Sequence, residues 1–369
     1  MSAVSDFARR VVDWQRAHGR NDLPWQGTRD PYAVWLSEVM LQQTQVATVV
    51  PYYRRFRARF PDLASLAAAD EDDVLRLWSG LGYYARARNL HRAAQAIVAE
   101  HGGAFPRDLA QIAALPGIGR STAAAIAGFA FGARAAILDG NVKRLLARHF
   151  AVEGHPGERA VEQRLWRLAE SLLPADDIAP YIQGLMDLGA TVCTTRAPQC
   201  ERCPVRETCA ALARNRVGEL PAPRPRRAVP HRRTAMLVLR SDGDVLLEKR
   251  PAAGVWRGLW CFPELGAGDD PARVARRRYG CEVALVERLG VLRHAFTHFT
   301  LDIEPVVARV RRRAPRAAEP GVLWLPFAQA AGAAVPTPVR KLVRALGGRS
   351  AAADQPALFE ELVEDLQAR

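Results

Sequence analysis

The chain has 369 residues, enough for two domains that each bury a core of their own. Hydrophobic residues make up 49% and charged residues 25%, the balance of globular protein, which excludes a fibrous or wholly disordered chain. Lysine plus arginine exceed aspartate plus glutamate by 52 to 39, a formal charge of +13 that favours a polyanionic partner, either nucleic acid or an anionic membrane surface. No run of 18 uncharged apolar residues occurs, and Asp6, Arg9, Arg10 and Asp13 break up the start as no signal peptide would. A cytoplasmic protein without a membrane span is expected.

From residue 1 to about 213 the chain reads as helical. Amphipathic runs cover Tyr32 to Arg57, Asp72 to Trp78, Ala85 to His101 and Ala160 to Leu173, with Pro and Gly between them and no strand-like alternation. In the first run Glu38 falls on the face of Val34, Trp35 and Leu41, where packing gives no reason for a carboxyl. Leu115-Pro116-Gly117-Ile118-Gly119-Arg120-Ser121 predicts a hairpin between two helices. Alone it would be an ordinary turn, but its glycines let backbone approach a ligand and the next helix opens N–H groups toward a phosphate. Asp139, between the apolar Ile137-Leu138 and a new helix, is by default an N-cap. A carboxyl in apolar surroundings resists ionisation while one at a helix start stays an anion, and such a pair divides the labour of glycosidic cleavage.

Cys193, Cys200, Cys203 and Cys209 place four thiols within 17 residues, spaced C-x6-C-x2-C-x5-C. They ask for a metal, with zinc and an iron–sulfur cluster as the alternatives; a single compact loop with one x2 pair suits a cubane cluster better than two zinc knuckles. Cys261 and Cys281 stand apart and are expected in a core. Residues 214–233 contain seven arginines and four prolines, the composition of an extended linker. Beyond it the period becomes two. Thr234 to Leu239 and Val245 to Lys249 flank Ser241-Asp242-Gly243 as a hairpin, and His298 to Val310 alternates as a strand. Helices near Pro271 to Tyr279 and Pro338 to Leu346 complete an α+β domain over 234–347. Residues 348–369 form a polar tail.

Taken together, Leu23-Pro24-Trp25, the segment Val34 to Thr44, Gly80-Leu81-Gly82-Tyr83-Tyr84-Ala85-Arg86, the LPGIGRS hairpin, Ile137 to Asn141 and the cysteine loop resemble the adenine DNA glycosylases of the MutY family, across about residues 5 to 346. The resemblance implies a mainly α helix-hairpin-helix glycosylase domain with a [4Fe-4S] cluster on Cys193, Cys200, Cys203 and Cys209, followed by an α+β Nudix-like domain. It implies removal of adenine mispaired with 8-oxoguanine or guanine in double-stranded DNA, by a bacterial, cytoplasmic monomer associated with the nucleoid when on DNA. Glu38 would protonate the base and then help activate water. Asp139 would stabilise the sugar cation or trap it covalently, with Asn141 and Ser121 in support.

Trp25 and Gln26 would line the adenine pocket, Gln26 standing where the family often has Arg. Gln43 and Tyr83 would enter the DNA stack, Leu115, Gly117 and Gly119 would hold the backbone, and Lys143 would contact DNA or a neighbouring carboxylate. Relatives that also nick DNA carry a Schiff-base lysine after the hairpin Gly-Arg; Ser121 occupies that position and predicts a monofunctional enzyme. A non-catalytic DNA-binding module would not need both Glu38 and Asp139. In the second domain Gly258 and Glu264 open a Nudix box, but Ala272 to Arg277 lacks its metal-binding glutamates, so a recognition module rather than a pyrophosphatase is expected, with Phe296-Thr297-His298 reading the lesion. In the tail, Gln355, Leu358 and Phe359 match a short sliding-clamp-binding peptide; a terminal amphipathic helix is the other reading.

Overall fold

The computed structural model describes residues 3–225, 228–314 and 320–348. The clamp-peptide residues Gln355, Leu358 and Phe359 lie outside the described residues. Among these residues two compact units emerge, one running to Ala69 and resuming from Ala85 to Pro225, the other made of Asp70–Tyr84 and the described chain from Ala228 to Gly348.

Four helices come first: α1 (Ala3–His18), α2 (Pro31–Leu41), α3 (Val46–Arg59) and α4 (Leu63–Ala67). The segment Asp70–Tyr84 then contributes α5 (Glu71–Trp78) to the second unit. The first unit continues through α6 (Ala85–His101), α7 (Leu109–Ala114), α8 (Arg120–Phe131) and α9 (Gly140–His149). It ends with α10 (Arg159–Ser171), α11 (Ile178–Asp187) and α12 (Ala210–Ala213). Local chemistry sets these limits. Asp30 accepts from the Tyr32 amide with Pro31 behind it at the start of α2, Asp108 caps α7, and Gly132 ends α8 in the left-handed conformation (φ 70°). The core gathers Phe7 and Val11 of α1, Ile126 of α8, Leu145 of α9 and Tyr181, Ile182 and Leu185 of α11, all at most 4% exposed.

The amphipathic run from Tyr32 to Arg57 is not one helix. Gln42 to Gln45 separates α2 from α3, and Gln43 sits at φ 57°.

The second unit is built on a mixed sheet of β1 (His231–Ser241), β2 (Asp244–Lys249), β3 (Trp260–Cys261), β4 (Glu264–Leu265), β5 (Cys281–Arg288), β6 (Leu292–Ala295), β7 (Thr300–Arg313) and β8 (Val322–Pro326). Its central order is β3-β2-β1-β7-β5, with β1 and β7 parallel and their neighbours antiparallel. The β1–β2 turn is the two-residue Asp242-Gly243, both at positive φ, as the right-handed twist of paired strands favours. Helices α13 (Pro271–Tyr279), α14 (Phe327–Gly332) and α15 (Thr337–Gly347) complete the unit. Cys261 and Cys281 are buried, at 0% and 1% exposure.

Two boundaries differ from those read in the sequence. β1 begins at His231, inside the arginine- and proline-rich stretch, because His231, Arg232 and Arg233 pair in register with Thr300, Leu301 and Asp302 of β7. Composition alone does not reveal a strand whose pairing partner lies 69 residues on in that register. The segment Asp70–Tyr84 has its partners in the second unit: the Ser79 hydroxyl and the Tyr84 hydroxyl both donate to the Val335 carbonyl (2.6 and 3.0 Å), and Lys249 pairs with Asp72 at 2.8 Å. Among the described residues no helix is long and apolar enough to cross a membrane.

Candidate active site

Glu38 projects from α2 into a cleft whose walls include Trp25, Gln26, Arg20, Asn21, Leu41, Phe129 and Gln183. Burial lifts its carboxyl to about 8, and the nearby negative charge of Asp139 pushes the same way. The acid is therefore neutral near physiological pH. Asp139 is the N-cap of α9: its Oδ1 accepts from the Val142 amide at 2.8 Å and Oδ2 receives the Asn141 amide side chain at 3.5 Å. Burial raises this carboxyl too, while the backbone hydrogen bonds at the helix start and the charge of Arg144 pull it back down. The two carboxyls thus sit within electrostatic reach of each other, both raised by burial, and only Asp139 has backbone donors and a guanidinium charge that oppose the rise.

Behind Asp139 runs a chain of polar contacts. Arg144 donates to Asn141 Oδ1 (2.9 Å) and to the carbonyls of Gly189 (2.5 Å) and Cys193 (2.8 Å). Gly189 lies in a single turn of π-helix, Leu188–Val192, and has to be glycine: a Cβ there would stand 2.4 Å from Asn141 Cβ. Ser121 Oγ accepts from the Leu138 amide at 2.9 Å, which ties the hairpin to the Asp139 loop. In the hairpin, Gly117 has φ 79°, Gly119 caps α8, and Leu115 is buried against its own unit. Lys143 bonds Glu162 at 2.6 Å.

Gln26 lines the cleft but is folded back on its own loop, donating to the Arg20 carbonyl (2.7 Å) and accepting from the Leu23 amide (3.0 Å). Trp25 packs edge-on against Tyr53. Sequence reading missed Asp187, at the end of α11 and 1% exposed. It takes the Arg20 guanidinium (2.5 Å), the Arg20 amide (2.9 Å) and the Gln183 side chain (2.9 Å), and so fixes two residues of the cleft wall. The available signal was the one that found Glu38: a carboxyl on an apolar helix.

In the second unit Tyr83 is 47% exposed at φ 48°, and its hydroxyl lies 3.2 Å from Thr297 Oγ1. Phe296 stacks on Phe299 at 4.3 Å and its amide donates to the Phe299 carbonyl, which closes a tight loop and leaves Thr297 and His298 at the surface.

Cys193, Cys200, Cys203 and Cys209 are free thiols lining one cavity with Arg148, His149 and Leu145. Arg148 donates to Cys193 Sγ (3.4 Å) and to the carbonyls of Thr194 (2.7 Å) and Leu220 (2.8 Å). Burial pushes Cys203 up to about 11 and raises Cys200 and Cys209 as well, so four thiolates here need a cationic group to hold their charge. Among the described residues no three His, Cys, Asp or Glu side chains are arranged to hold a single metal ion.

Residues 36–171 match the HhH-GPD superfamily base excision DNA repair protein family and residues 234–345 match the NUDIX domain. An adenine DNA glycosylase of Buchnera aphidicola subsp. Acyrthosiphon pisum is 36% identical over 82% of this chain and 87% of its own length. The adenine DNA glycosylase of Mus musculus is 35% identical over 92% of this chain and 78% of its own. Among solved structures, a thermostable thymine-DNA glycosylase matches 57% of this chain and 97% of its own with a TM-score of 0.52 and 29% identity. The superfamily match spans Glu38, the hairpin and Asp139, the relatives run through both units, and the chain belongs to the adenine DNA glycosylase family.

Proposed function

We propose that this chain is a monofunctional glycosylase that extrudes adenine from duplex DNA, opposite 8-oxoguanine or guanine, and cleaves its N-glycosidic bond. The observation that carries the reading is Glu38, half-buried on the cleft wall with its carboxyl raised to about 8, within electrostatic reach of Asp139 at the start of α9. Adenine leaves poorly as an anion, so Glu38 donates its proton to the base as the bond to the sugar breaks, and the resulting carboxylate then activates water. The positive charge that develops on the sugar meets Asp139, oriented by Asn141 and the Val142 amide. Trp25 and Gln183 wall the cleft that receives the base, and the Gly117 and Gly119 hairpin turns its amides toward a phosphate.

The four thiols and the Arg148 guanidinium suit a [4Fe-4S] cluster, and the single compact loop with one x2 pair favours it over zinc. When bound, that cluster supplies a rigid staple for the loop from Cys193 to Cys209 and stands outside the bond-breaking steps. The chain acts in the cytoplasm on this reading, where free thiols persist.

The test is an incubation with duplexes carrying adenine opposite 8-oxoguanine, adenine opposite guanine, thymine opposite guanine, and an oxidised pyrimidine, with and without alkali. Adenine loss with strand cleavage only after alkali is expected, since Ser121 offers no amine for an imine. Nicking without alkali, or preference for a pyrimidine, would overturn the assignment.

Lesion reading falls to Thr297 and His298, exposed beside Tyr83, whose hydroxyls and ring can bond the oxidised base's edge. Removing the whole second domain would also strip the partners of Ser79 and Tyr84, so point variants are cleaner. Thr297→Ala with His298→Ala should lower the preference for 8-oxoguanine over guanine by about 10-fold or more while leaving excision opposite guanine within about 3-fold. An unchanged preference ratio removes this loop from recognition.

A further inference from the structure

Glu38 lies one turn before the end of α2, and the last carbonyls of any helix have no partner within it. In α2 this end faces the Arg86 guanidinium. Arg86, on α6 and 8% exposed, donates through Nη1 to the carbonyls of Val39 (3.0 Å), Met40 (2.8 Å) and Gln42 (2.5 Å), and through Nη2 to Thr44 Oγ1 (3.0 Å). Positive charge suits a helix C-terminus, and a planar guanidinium serves several acceptors at once where an ammonium cannot.

Between two of those acceptors stands Gln43, at φ 57°. A side-chain-bearing residue enters this region at a cost and stays there only when its surroundings fix it. Arg86 holds the residue on each side, Gln42 by its carbonyl and Thr44 by its hydroxyl. One turn further along α6, Asn89 backs the hairpin, so closely that a Cβ at Gly117 would lie 2.7 Å from Asn89 Cβ. The same helix therefore braces two elements that meet DNA.

We propose that Arg86 is a positioning residue: it locks Gln42-Gln43-Thr44 in the shape that fills the gap left by the extruded adenine, and it couples that loop to the helix bearing Glu38. This rests on the reading above that Gln43 enters the stack. Arg86 itself touches neither base nor sugar; its effect passes through Gln43.

The experiment measures single-turnover excision by the full chain for wild type, Arg86→Gln, Arg86→Lys, Gln43→Ala and the Arg86→Gln/Gln43→Ala double variant. Two duplexes are compared, one with adenine opposite 8-oxoguanine and one with adenine opposite an abasic site, where the base leaves the stack with little help. On the paired duplex Arg86→Gln is expected to lose about 100-fold, the scale of a misplaced reacting group, and Arg86→Lys less. On the abasic duplex both should come within about 5-fold of wild type, and the double variant should be no slower than the worse single variant.

Equal losses on both duplexes, or multiplying losses in the double variant, would overturn the proposal, because Arg86 would then act on Glu38 or on the fold at large. Full activity of Gln43→Ala would sink the wedge reading on its own, before Arg86 is considered. If Arg86→Gln fails to fold, Thr44→Val removes one acceptor and leaves the guanidinium in place. A loss of about 3-fold or more confined to the paired duplex supports the lock, and a rate equal to wild type counts against it.

Discussion

Replacing Glu38 with Gln should slow adenine release by about 10³-fold or more while making the folded protein more stable at neutral and alkaline pH. The two effects share one cause. Burial lifts the carboxyl from its ordinary 4.5 to about 8, so the folded state keeps a proton that the unfolded chain has already released. The contribution of neutral Glu38 to stability is complete below pH 4.5 and is lost as pH climbs through the folded value near 8. At about 1.4 kcal/mol per pH unit the loss across that window is on the order of 3–5 kcal/mol, which glutamine does not suffer. Urea unfolding of both proteins at pH 4.5 and pH 8 checks this. Similar stabilities at pH 4.5 and a more stable variant at pH 8 are expected, and equal pH slopes would mean that Glu38 is hydrated and ionised. The wild-type rate should also be nearly flat up to about pH 8 and fall above it, as the proton donor disappears.

The second large effect concerns Asp187, which no motif announced. Its carboxylate is 1% exposed and holds the Arg20 guanidinium, the Arg20 amide and Gln183. Asp187→Ala strips the counter-charge those donors share, and breaking a buried pair of this kind costs about 3 kcal/mol, toward the low end because Arg20 reaches water in part. Thermal unfolding should shift down by roughly 6–12 °C. Because Arg20 and Gln183 line the cleft, excision should fall as well. A double-mutant cycle with Arg20→Ala separates the pair from its surroundings: the second substitution should cost little once the first is made. Additive costs would assign the loss to packing instead.

What the sequence discloses depends on how local the physics is. Glu38 is legible because an acid on an apolar helix face stands out within seven residues. Asp242-Gly243 is legible because only a few dipeptides adopt its turn, and the four cysteines because thiols at that spacing ask for one shared partner. Asp139 reads as a helix cap from its neighbours alone, and it is one. The acid on an apolar helix at Asp187 carries the same signal as Glu38, but its pairing with Arg20 is hidden, since 167 residues separate two side chains that meet only after α1 and α11 have packed. Arg86 and Arg144 are hidden by a different circumstance: in a chain with so many arginines, nothing local marks those whose charge is spent on backbone carbonyls. Gln26 shows the converse, a residue aimed at the cleft by motif alignment that spends its amide on bracing its own loop.

The membership of Asp70–Tyr84 in the second unit sets a schedule for synthesis. Ser79 and Tyr84 find their shared acceptor, the Val335 carbonyl, 256 and 251 residues downstream. At about 5–20 residues per second a ribosome needs roughly 10–50 s to cover that stretch. During that wait the early segment, with Val74, Leu75 and Trp78 all fully buried in the finished protein, has no completed unit to join. The nascent chain therefore carries the apolar face of an amphipathic helix uncovered for tens of seconds, and a holdase that binds such faces would find its target at Glu71–Trp78 well before Val335 is made.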